Sequence, residues 1–365
     1  MIRYSIIVMV LFLLLSVCAV SMSLINTVEL GNLPSRLTVV ENYVGIYYVA
    51  LLKGDSSLVV MDESFKVVRR IEGLQREGIE DVIYHDGRLY LLGFRSGNLL
   101  IMEAFASPWG WEISSTISTG SRLVTGTPIN GMIALLSFDE ELIVVDTHTQ
   151  KIVFRSQLPV QALSIATDDK LLYIPLYYNY SLLKGDYVTE ESLILMDVYG
   201  QVVGNVENFG RRPSYVFLHD NYICVISYLD GTLTMISKYS NEPAKSFFIG
   251  RYPGQPFVHS GLIWIPSAGS HRIARIDPSS ESVDYFSTSG RGPSQIFVTD
   301  DHVYAIHAVS GKIEKMSHNG ETLSLIDLNG YPIDFTYRDG SIAVLIEQSW
   351  DPVCRKGWLT VIGDS

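Results

Sequence analysis

The chain repeats a short segment eight times, and this repeat constrains the fold more than any other feature of the sequence. Each copy has an apolar residue at its second and fifth positions, and the copies start 40 to 51 residues apart. A near-constant period of this length is typical of proteins built from stacked, similar units. The copies are SLVVMD (57–62), NLLIME (98–103), ELIVVD (141–146), SLILMD (192–197), TLTMIS (232–237), RIARID (272–277), KIEKMS (312–317) and WLTVIG (358–363).

Other short runs accompany each copy and indicate four strands per unit. A run rich in Ile, Val and Tyr precedes each segment, as in RLYLLGF (88–94), and is typical of a strand buried on both faces. An alternating run follows most segments, as in KIVFRS (151–156), and indicates a half-exposed outer strand. Turn signals such as Asp-Gly at 86–87 separate these runs from a further strand ahead of them.

Four strands in about 40 residues, repeated without helices, predict an all-β fold of the β-propeller type. Eight segments predict eight four-stranded blades, and seven is the alternative if one unit is irregular. The last unit lacks an outer strand, whereas NTVELGNLP (26–34) is a strand without a unit. We therefore expect the N-terminal strand to complete the last blade, which closes the ring and removes its open edges. Residues 24–365 are predicted to form this single domain.

Residues 1–23 are predicted to be a signal peptide. A short basic start leads into the apolar run Ile6–Val20, and the small residues that follow suit cleavage after Ser21 or Ser23. An uncleaved membrane anchor is the alternative, because Tyr4–Ile25 is long enough to span a bilayer. Under either interpretation the folded domain is extracellular, secreted or held at the cell surface, and it meets the membrane only if the segment stays uncleaved.

Composition narrows the classes of partner. The net charge of −12 and the pI near 5.1 argue against a nucleic-acid-binding surface, since no Lys/Arg cluster counters them. Cys224 and Cys354 carry no disulfide framework, so we expect no bridge between them. Asn179 begins the sequon Asn-Tyr-Ser and is a candidate glycosylation site.

Three joints with the pattern Gly-Arg-x-Pro stand between an outer strand and the next inner strand. Glycine supplies unusual dihedrals for the turn, and proline starts a strand without needing a donor, but the turn does not require arginine. The arginines are expected side by side around the channel mouth, where they would bind an anionic ligand. The alternative is that each arginine pairs with a carboxylate of the neighbouring blade. The three residues are Arg211, Arg251 and Arg291.

Two long loops are expected on the same face as the joints. They span residues 177–192 in the fourth unit and 348–357 in the last, and they are rich in aromatic side chains suited to interfaces and sugar stacking. Their candidate ligand-binding residues are Tyr178, Tyr180 and Trp350. The stretch SPWGWE (107–112) is expected on the opposite face, in a packing role.

The Gly-x-x-Pro joints, the apolar strands and the repeated segments resemble the YVTN/NHL-type propeller repeats. The likeness is clearest over residues 192–332, and GRGPSQIFVTDDHVYAIHAVSGKIEKMSHNGE (290–321) is its most similar stretch. The tetrapeptide YVTN itself is absent. The resemblance implies a propeller, often on secreted or cell-surface proteins that bind partners, and it carries no activity with it.

The sequence favours a non-catalytic binding module for a protein or glycan. It contains no His-Glu-x-x-His, Gly-x-Ser-x-Gly, phosphate-binding loop or Cys-x-x-Cys, so we expect no catalytic residues, metal or cofactor. His271 and His307 stand nearest the expected ligand face but lack a visible partner. The alternative is a propeller enzyme of the lyase, lactonase or hydrolase type with its site at the channel mouth. A quinone-dependent dehydrogenase is less favoured, since the blades lack regularly placed tryptophans.

Overall fold

A computed structural model describes residues 22–177, 180–181, 186–187, 192–348 and 356–364 of the protein. Its strands form eight four-stranded antiparallel sheets that follow one another around a closed ring, which confirms the prediction of an eight-bladed propeller. The ring closes because the inner strand of the first blade contacts the inner strands of both the second and the eighth blade.

The first strand, β1, spans Met22–Asn32 and precedes the first blade. Blade one contains β2 (Pro34–Glu41), β3 (Ile46–Leu52), β4 (Ser57–Met61) and β5 (Val67–Ile71). Blade two contains β6 (Ile79–His85), β7 (Arg88–Gly93), β8 (Asn98–Glu103) and β9 (Ile113–Ser118). Blade three contains β10 (Leu123–Ile129), β11 (Met132–Ser137), β12 (Glu141–Asp146) and β13 (Lys151–Gln157). Blade four contains β14 (Ala166–Thr167), β15 (Leu171–Pro175), the small hairpin β16 (Tyr180–Ser181) and β17 (Asp186–Tyr187), then β18 (Ser192–Asp197) and β19 (Val202–Glu207).

The second half of the ring repeats this order. Blade five contains β20 (Pro213–His219), β21 (Tyr222–Ser227), β22 (Thr232–Ser237) and β23 (Pro243–Phe248). Blade six contains β24 (Phe257–His259), β25 (Leu262–Ser267), β26 (Arg272–Asp277) and β27 (Ser282–Ser287). Blade seven contains β28 (Pro293–Val298), β29 (His302–His307), β30 (Lys312–Ser317) and β31 (Thr322–Asp327). Blade eight contains β32 (Tyr331–Arg338), β33 (Ser341–Glu347) and β34 (Lys356–Asp364). Short 3₁₀ turns span Pro108–Gly110 in blade two and Ala268–Ser270 in blade six.

The N-terminal strand completes the last blade, as the sequence predicts. Strand β1 pairs antiparallel with β34, so that Met22 lies opposite Asp364 and Asn32 opposite Lys356. The strand begins at Met22, four residues before the predicted start, and Met22 packs into the core formed by blades seven and eight. Blade eight is therefore built from both ends of the described chain, and the ring has no unpaired β34 edge.

The core consists of apolar layers between neighbouring blades. The two middle strands of each blade are largely buried on both faces, which explains the apolar runs in most of them; β30 differs, because Glu314 and Lys315 are buried in it. The outer strands alternate, and β13 exposes every second residue. The repeated segments of the sequence coincide with the third strands of the blades.

Antiparallel pairing divides the connections between two faces of the ring. We call the joint face the one that carries the joints between blades and the loops between second and third strands. The turn face carries the connections between first and second strands and between third and fourth strands. No helix within the described ranges is long and apolar enough to cross a membrane.

Candidate ligand-binding site on the joint face

The joints of blades five to seven use glycine for two different physical reasons. Gly210 and Gly250 both have a φ of +118°, a region that side chains with a Cβ rarely adopt. Gly290 has no such φ, but a Cβ there would lie 2.4 Å from Cγ of His307. A Cβ would also crowd Ser227 at Gly210 and Ser267 at Gly250, so these two joints require glycine for both its dihedral and its space, and the Gly290 joint requires it for space alone.

One hydrogen bond repeats in all three joints and fixes the backbone of the arginine. Its N–H donates to a side-chain oxygen on the loop between the second and third strands of the same blade. The distances are 2.8 Å from Arg211 to Asp230, 2.8 Å from Arg251 to Ser270 and 2.9 Å from Arg291 to Ser310. This bond holds each joint closed, and it uses only the arginine backbone.

The Arg211 guanidinium forms an ion pair inside blade five. Its Nε and Nη2 lie 2.8 and 2.6 Å from Oδ1 of Asp230. Burial disfavours the Asp230 carboxylate, but the bonds from Arg211 outweigh it and lower the pKa of Asp230 below its ordinary value. Arg122 and Asp139 repeat this arrangement in blade three.

Arg251 and Arg291 differ because a serine replaces the aspartate of their loops. Both side chains are exposed, and neither forms an ion pair with any carboxylate in the part of the chain that the structure describes. The alternative that each arginine pairs with a carboxylate of the neighbouring blade is therefore wrong. Arg211 pairs within its own blade, and the other two guanidinium groups stay available.

Apolar side chains surround these arginines on the joint face. Leu229, Tyr252 and Val309 are 50, 53 and 55% exposed, and they lie on the loops or joints of blades five, six and seven. The rings of Tyr228 and Tyr252 lie 5.3 Å apart, which links blade five to blade six. The arc therefore combines cations, an aromatic pair and exposed aliphatic groups.

The two histidines predicted near this face both have structural contacts. Nδ1 of His271 accepts the N–H of Gly292 at 3.1 Å and thus joins blade six to the joint of blade seven. His307 is fully buried under that joint, with Nε2 2.9 Å from Oε2 of the equally buried Glu314. Burial disfavours the Glu314 carboxylate, but its bonds from His307, Thr322 and the Ser289 N–H lower its pKa.

The aromatic candidates on the two long loops are described only in part. Tyr180 lies in the hairpin β16–β17, where its backbone pairs with that of Tyr187. Tyr178, Asn179 and Trp350 lie outside the described residues, so their roles stay predictions. Cys224 is a buried free thiol whose pKa is raised by burial, and Cys354 also lies outside the described residues.

The sequence interpretation missed a polar ring that lines the central channel. In most blades the first strand has a β-bulge just after its start, and in blades one, two and eight the residue after this bulge borders the cavity at the centre of the ring. The only signal in the sequence is that each of these positions lies two residues after the last residue of a joint, as Arg36 does after Pro34. The equivalent positions are Arg36, Asp81, Thr125, Ser164, Tyr215, Gln255, Gln295 and Asp334.

Arg36 of this ring lies between two carboxylates. Its Nε is 3.4 Å from Oδ1 of Asp81, and Oδ2 of Asp334 accepts the N–H of Leu37 at 2.9 Å. Burial raises the pKa of Asp334 although Leu37 and Arg36 oppose this shift. The ring borders a cavity of about 410 Å³. Among the described residues, no group of three His, Cys, Asp or Glu side chains could hold a metal ion.

Comparison with known proteins supports the propeller fold and gives no information about function. No protein-family model and no curated protein matches the chain. The chain is similar to the crystal structure of BamB from Moraxella catarrhalis, with a TM-score of 0.67 and 13% identity over 94% of this chain and 99% of that one. The computationally designed Ika8 protein gives a TM-score of 0.68 and 11% identity over 90% of this chain and 97% of that one.

A functionally unknown protein from Desulfotomaculum acetoxidans is also similar, with a TM-score of 0.58 and 10% identity over 77% of this chain and 95% of that one. At identities this low the likeness shows the propeller fold alone. The propeller implied by the YVTN/NHL resemblance is thereby confirmed, and membership of that repeat family stays a prediction.

Proposed function

We propose that this propeller is a non-catalytic interaction module outside the cytoplasm, and that the joint face of blades five to seven binds an anionic group of a partner protein or glycan. The observation that carries the proposal is the contrast among the three equivalent arginines. Asp230 neutralises Arg211, whereas serines stand at the equivalent positions of the next two loops, and the exposed guanidinium groups of Arg251 and Arg291 pair with no carboxylate among the described residues.

Arginine suits this role because its planar guanidinium donates two parallel hydrogen bonds to a carboxylate, sulfate or phosphate. The protein carries a net charge of −12, so two exposed arginines on neighbouring blades add positive charge at one place on a molecule that is negative overall. Such a charge accelerates encounter with an anionic group and makes binding sensitive to salt.

The surroundings of the arginines favour a macromolecule over a small inorganic anion. Leu229, Tyr252 and Val309 expose apolar surface beside them. Interfaces between proteins are enriched in tyrosine and arginine, and a sugar ring stacks on an aromatic face. An acidic segment with apolar side chains, or an acidic glycan, fits this combination.

The location outside the cytoplasm rests on the apolar run that precedes the domain. We further propose that cleavage follows Ser21 rather than Ser23. Met22 is 6% exposed and packs into the core formed by blades seven and eight, so cleavage after Ser23 would remove a buried side chain. Mass spectrometry of the exported protein should find Met22 at its N-terminus, and a start at Leu24 would contradict this site.

A binding experiment with matched variants tests the joint-face site. The probes are a labelled peptide of alternating glutamate and leucine and a sulfated oligosaccharide. Replacing both Arg251 and Arg291 by alanine should weaken binding of one of them about tenfold or more, because two charge-assisted contacts are lost. Arg122→Ala is the control, since it removes a paired arginine from the same face. Equal effects of the control and the double variant, or no binding of either probe, would contradict the proposal.

A further inference from the structure

The turn face of blades one and two carries large aromatic side chains that are mostly exposed to solvent. Trp109 is 75% exposed and Tyr43 is 80% exposed, with Val44 and Phe105 partly exposed beside them. The expectation of a packing role for SPWGWE holds for Trp111, which is 1% exposed and lies edge-on to Tyr47. It does not hold for Trp109. Two tryptophans two residues apart thus have opposite environments.

These exposed aromatics stand on a loop that the protein fixes with specific bonds. Residues 104–112 connect β8 to β9, whereas residues 147–150 suffice for the same connection in blade three. The Asn42 amide donates to the carbonyls of Ala104 and Ala106 at 2.7 and 3.0 Å. Its oxygen accepts the N–H groups of Val44 and Gly45 at 2.9 and 3.2 Å. One side chain therefore joins the loop of blade two to the Tyr43 turn of blade one.

Further bonds hold the part of the loop that presents Trp109. The Trp111 Nε1 donates to the carbonyl of Ala106 at 2.7 Å, and Arg69 of blade one donates to the carbonyl of Pro108. Trp109 follows Pro108 in a 3₁₀ turn. An exposed side chain on a backbone held this way loses little conformational freedom on binding, which is the property of an interface anchor.

A groove continues from this aromatic patch toward blade eight. One section, of about 340 Å³, is bordered by Val44, Tyr47 and Glu63. The next section, of about 210 Å³, shares Ile46 and Glu63 with the first and reaches Arg338 and Asp339. Tyr48 and Phe65, whose rings stack 4.6 Å apart, contribute apolar surface to it. The groove is elongated and partly apolar.

The charges around the patch and groove are mostly negative. Arg88 bonds to Glu103, and Arg338 bonds to Glu41 at 3.2 Å, so these cations are neutralised. Lys66 is an exposed cation, and the half-buried Arg69 is a further one. Besides the two carboxylates that pair with Arg88 and Arg338, four more are exposed here, so carboxylates outnumber cations; the four are Glu63, Asp86, Glu112 and Asp339.

We propose that this surface is a second binding site, distinct from the joint face, which takes an extended segment of a partner protein bearing Lys or Arg beside apolar side chains. The carboxylates pair with the cations of the segment, and Trp109 and Tyr43 contact both cations and apolar groups. Charge complementarity favours this partner over the surface of an anionic bilayer, because anionic headgroups would meet an excess of carboxylates, and over a neutral bilayer, which offers these carboxylates no net positive charge.

The proposal is tested by fluorescence anisotropy, which measures binding of a labelled peptide to the protein that starts at Met22. The probe is a labelled peptide of alternating lysine and leucine, and the comparison probe alternates glutamate and leucine. Trp109→Ala should weaken binding of the lysine peptide about tenfold or more, and Glu63→Gln should weaken it about threefold and reduce its salt dependence. Both residues are exposed, so thermal unfolding should stay unchanged.

Matched controls separate the site from general attraction to an acidic protein. Tyr199 and Glu321 are exposed on the same face in blades four and seven. Tyr199→Ala and Glu321→Gln should leave affinity within about twofold, because neither borders the groove. Four results would each overturn the proposal: no binding of the lysine peptide, equal binding of the glutamate peptide, equal effects at residues 109 and 199, or Trp109-dependent sedimentation with phosphatidylcholine vesicles.

Discussion

Closure of the ring by β1 predicts that one buried side chain of this strand stabilises the whole domain. Leu30 is 2% exposed and packs with Leu345 and Leu359 of blade eight. Truncation of a leucine buried to this degree costs about 2–5 kcal/mol, from lost transfer free energy and the cavity left behind. The free energy of unfolding of a domain is about 5–15 kcal/mol in total, so Leu30→Ala should remove a large part of it.

Urea unfolding measures this effect directly. With a dependence of about 3 kcal/mol per molar urea, Leu30→Ala should lower the midpoint by about 1 M. Leu24→Ala is the matched control, because Leu24 lies on the same strand but is 57% exposed, and its free energy of unfolding should change by less than about 0.5 kcal/mol. Deletion of residues 22–32 should destabilise the ring further, since it leaves β34 as an unpaired edge. If the two leucine variants unfold at the same midpoint as the native chain, β1 does not contribute to the cooperative fold.

The remaining predictions concern Glu314, Asp334 and Gly290. Glu314→Gln should cost about 1–3 kcal/mol in free energy of unfolding, because it removes the buried carboxylate that contacts His307 and accepts bonds from Thr322 and the Ser289 N–H, and an unchanged free energy of unfolding would contradict this role. The pKa of Glu314 in the folded state lies below its ordinary value of 4.5. The stabilisation from this carboxylate is therefore present above pH 4.5 and is lost as pH falls through the folded-state pKa. Urea midpoints measured at several pH values should show this loss. The pKa of Asp334 is raised by burial, so the native chain should gain stability relative to Asp334→Asn as pH falls, and a constant difference would refute this. Gly290→Ala should cost about 1–3 kcal/mol in thermal unfolding through its clash with His307, while Gly110→Ala, which has open space at its Cβ, should cost little.

Much of the fold could be predicted because the information is local and repeated. The alternation of apolar residues sets which face of a strand is buried, and a period near 40 residues repeats this pattern eight times. Each third strand lies where its segment predicts it. An unpaired strand at one end and a missing strand at the other predict the closure that β1 and β34 form. The face of each loop follows from strand order alone.

The two candidate sites could not be predicted in detail from the sequence, because they depend on distances between residues of different loops and strands. The position of three arginines is visible in the repeat, but the state of each depends on a residue on another loop, an aspartate beside Arg211 and serines beside Arg251 and Arg291. The channel ring depends on β-bulges, which redirect one residue per strand without a strong sequence signal.

The two tryptophans of SPWGWE give the sharpest contrast between sequence and tertiary structure. Sequence places both on a connector of blade two, and nothing in their spacing separates them. Only the tertiary structure buries Trp111 against Tyr47 and leaves Trp109 in solvent. The reason is that Asn42 and Arg69 of blade one bond to the loop that carries both tryptophans and so fix its path. Repeated local patterns thus determine the blades, whereas contacts between blades decide which side chains remain free to bind.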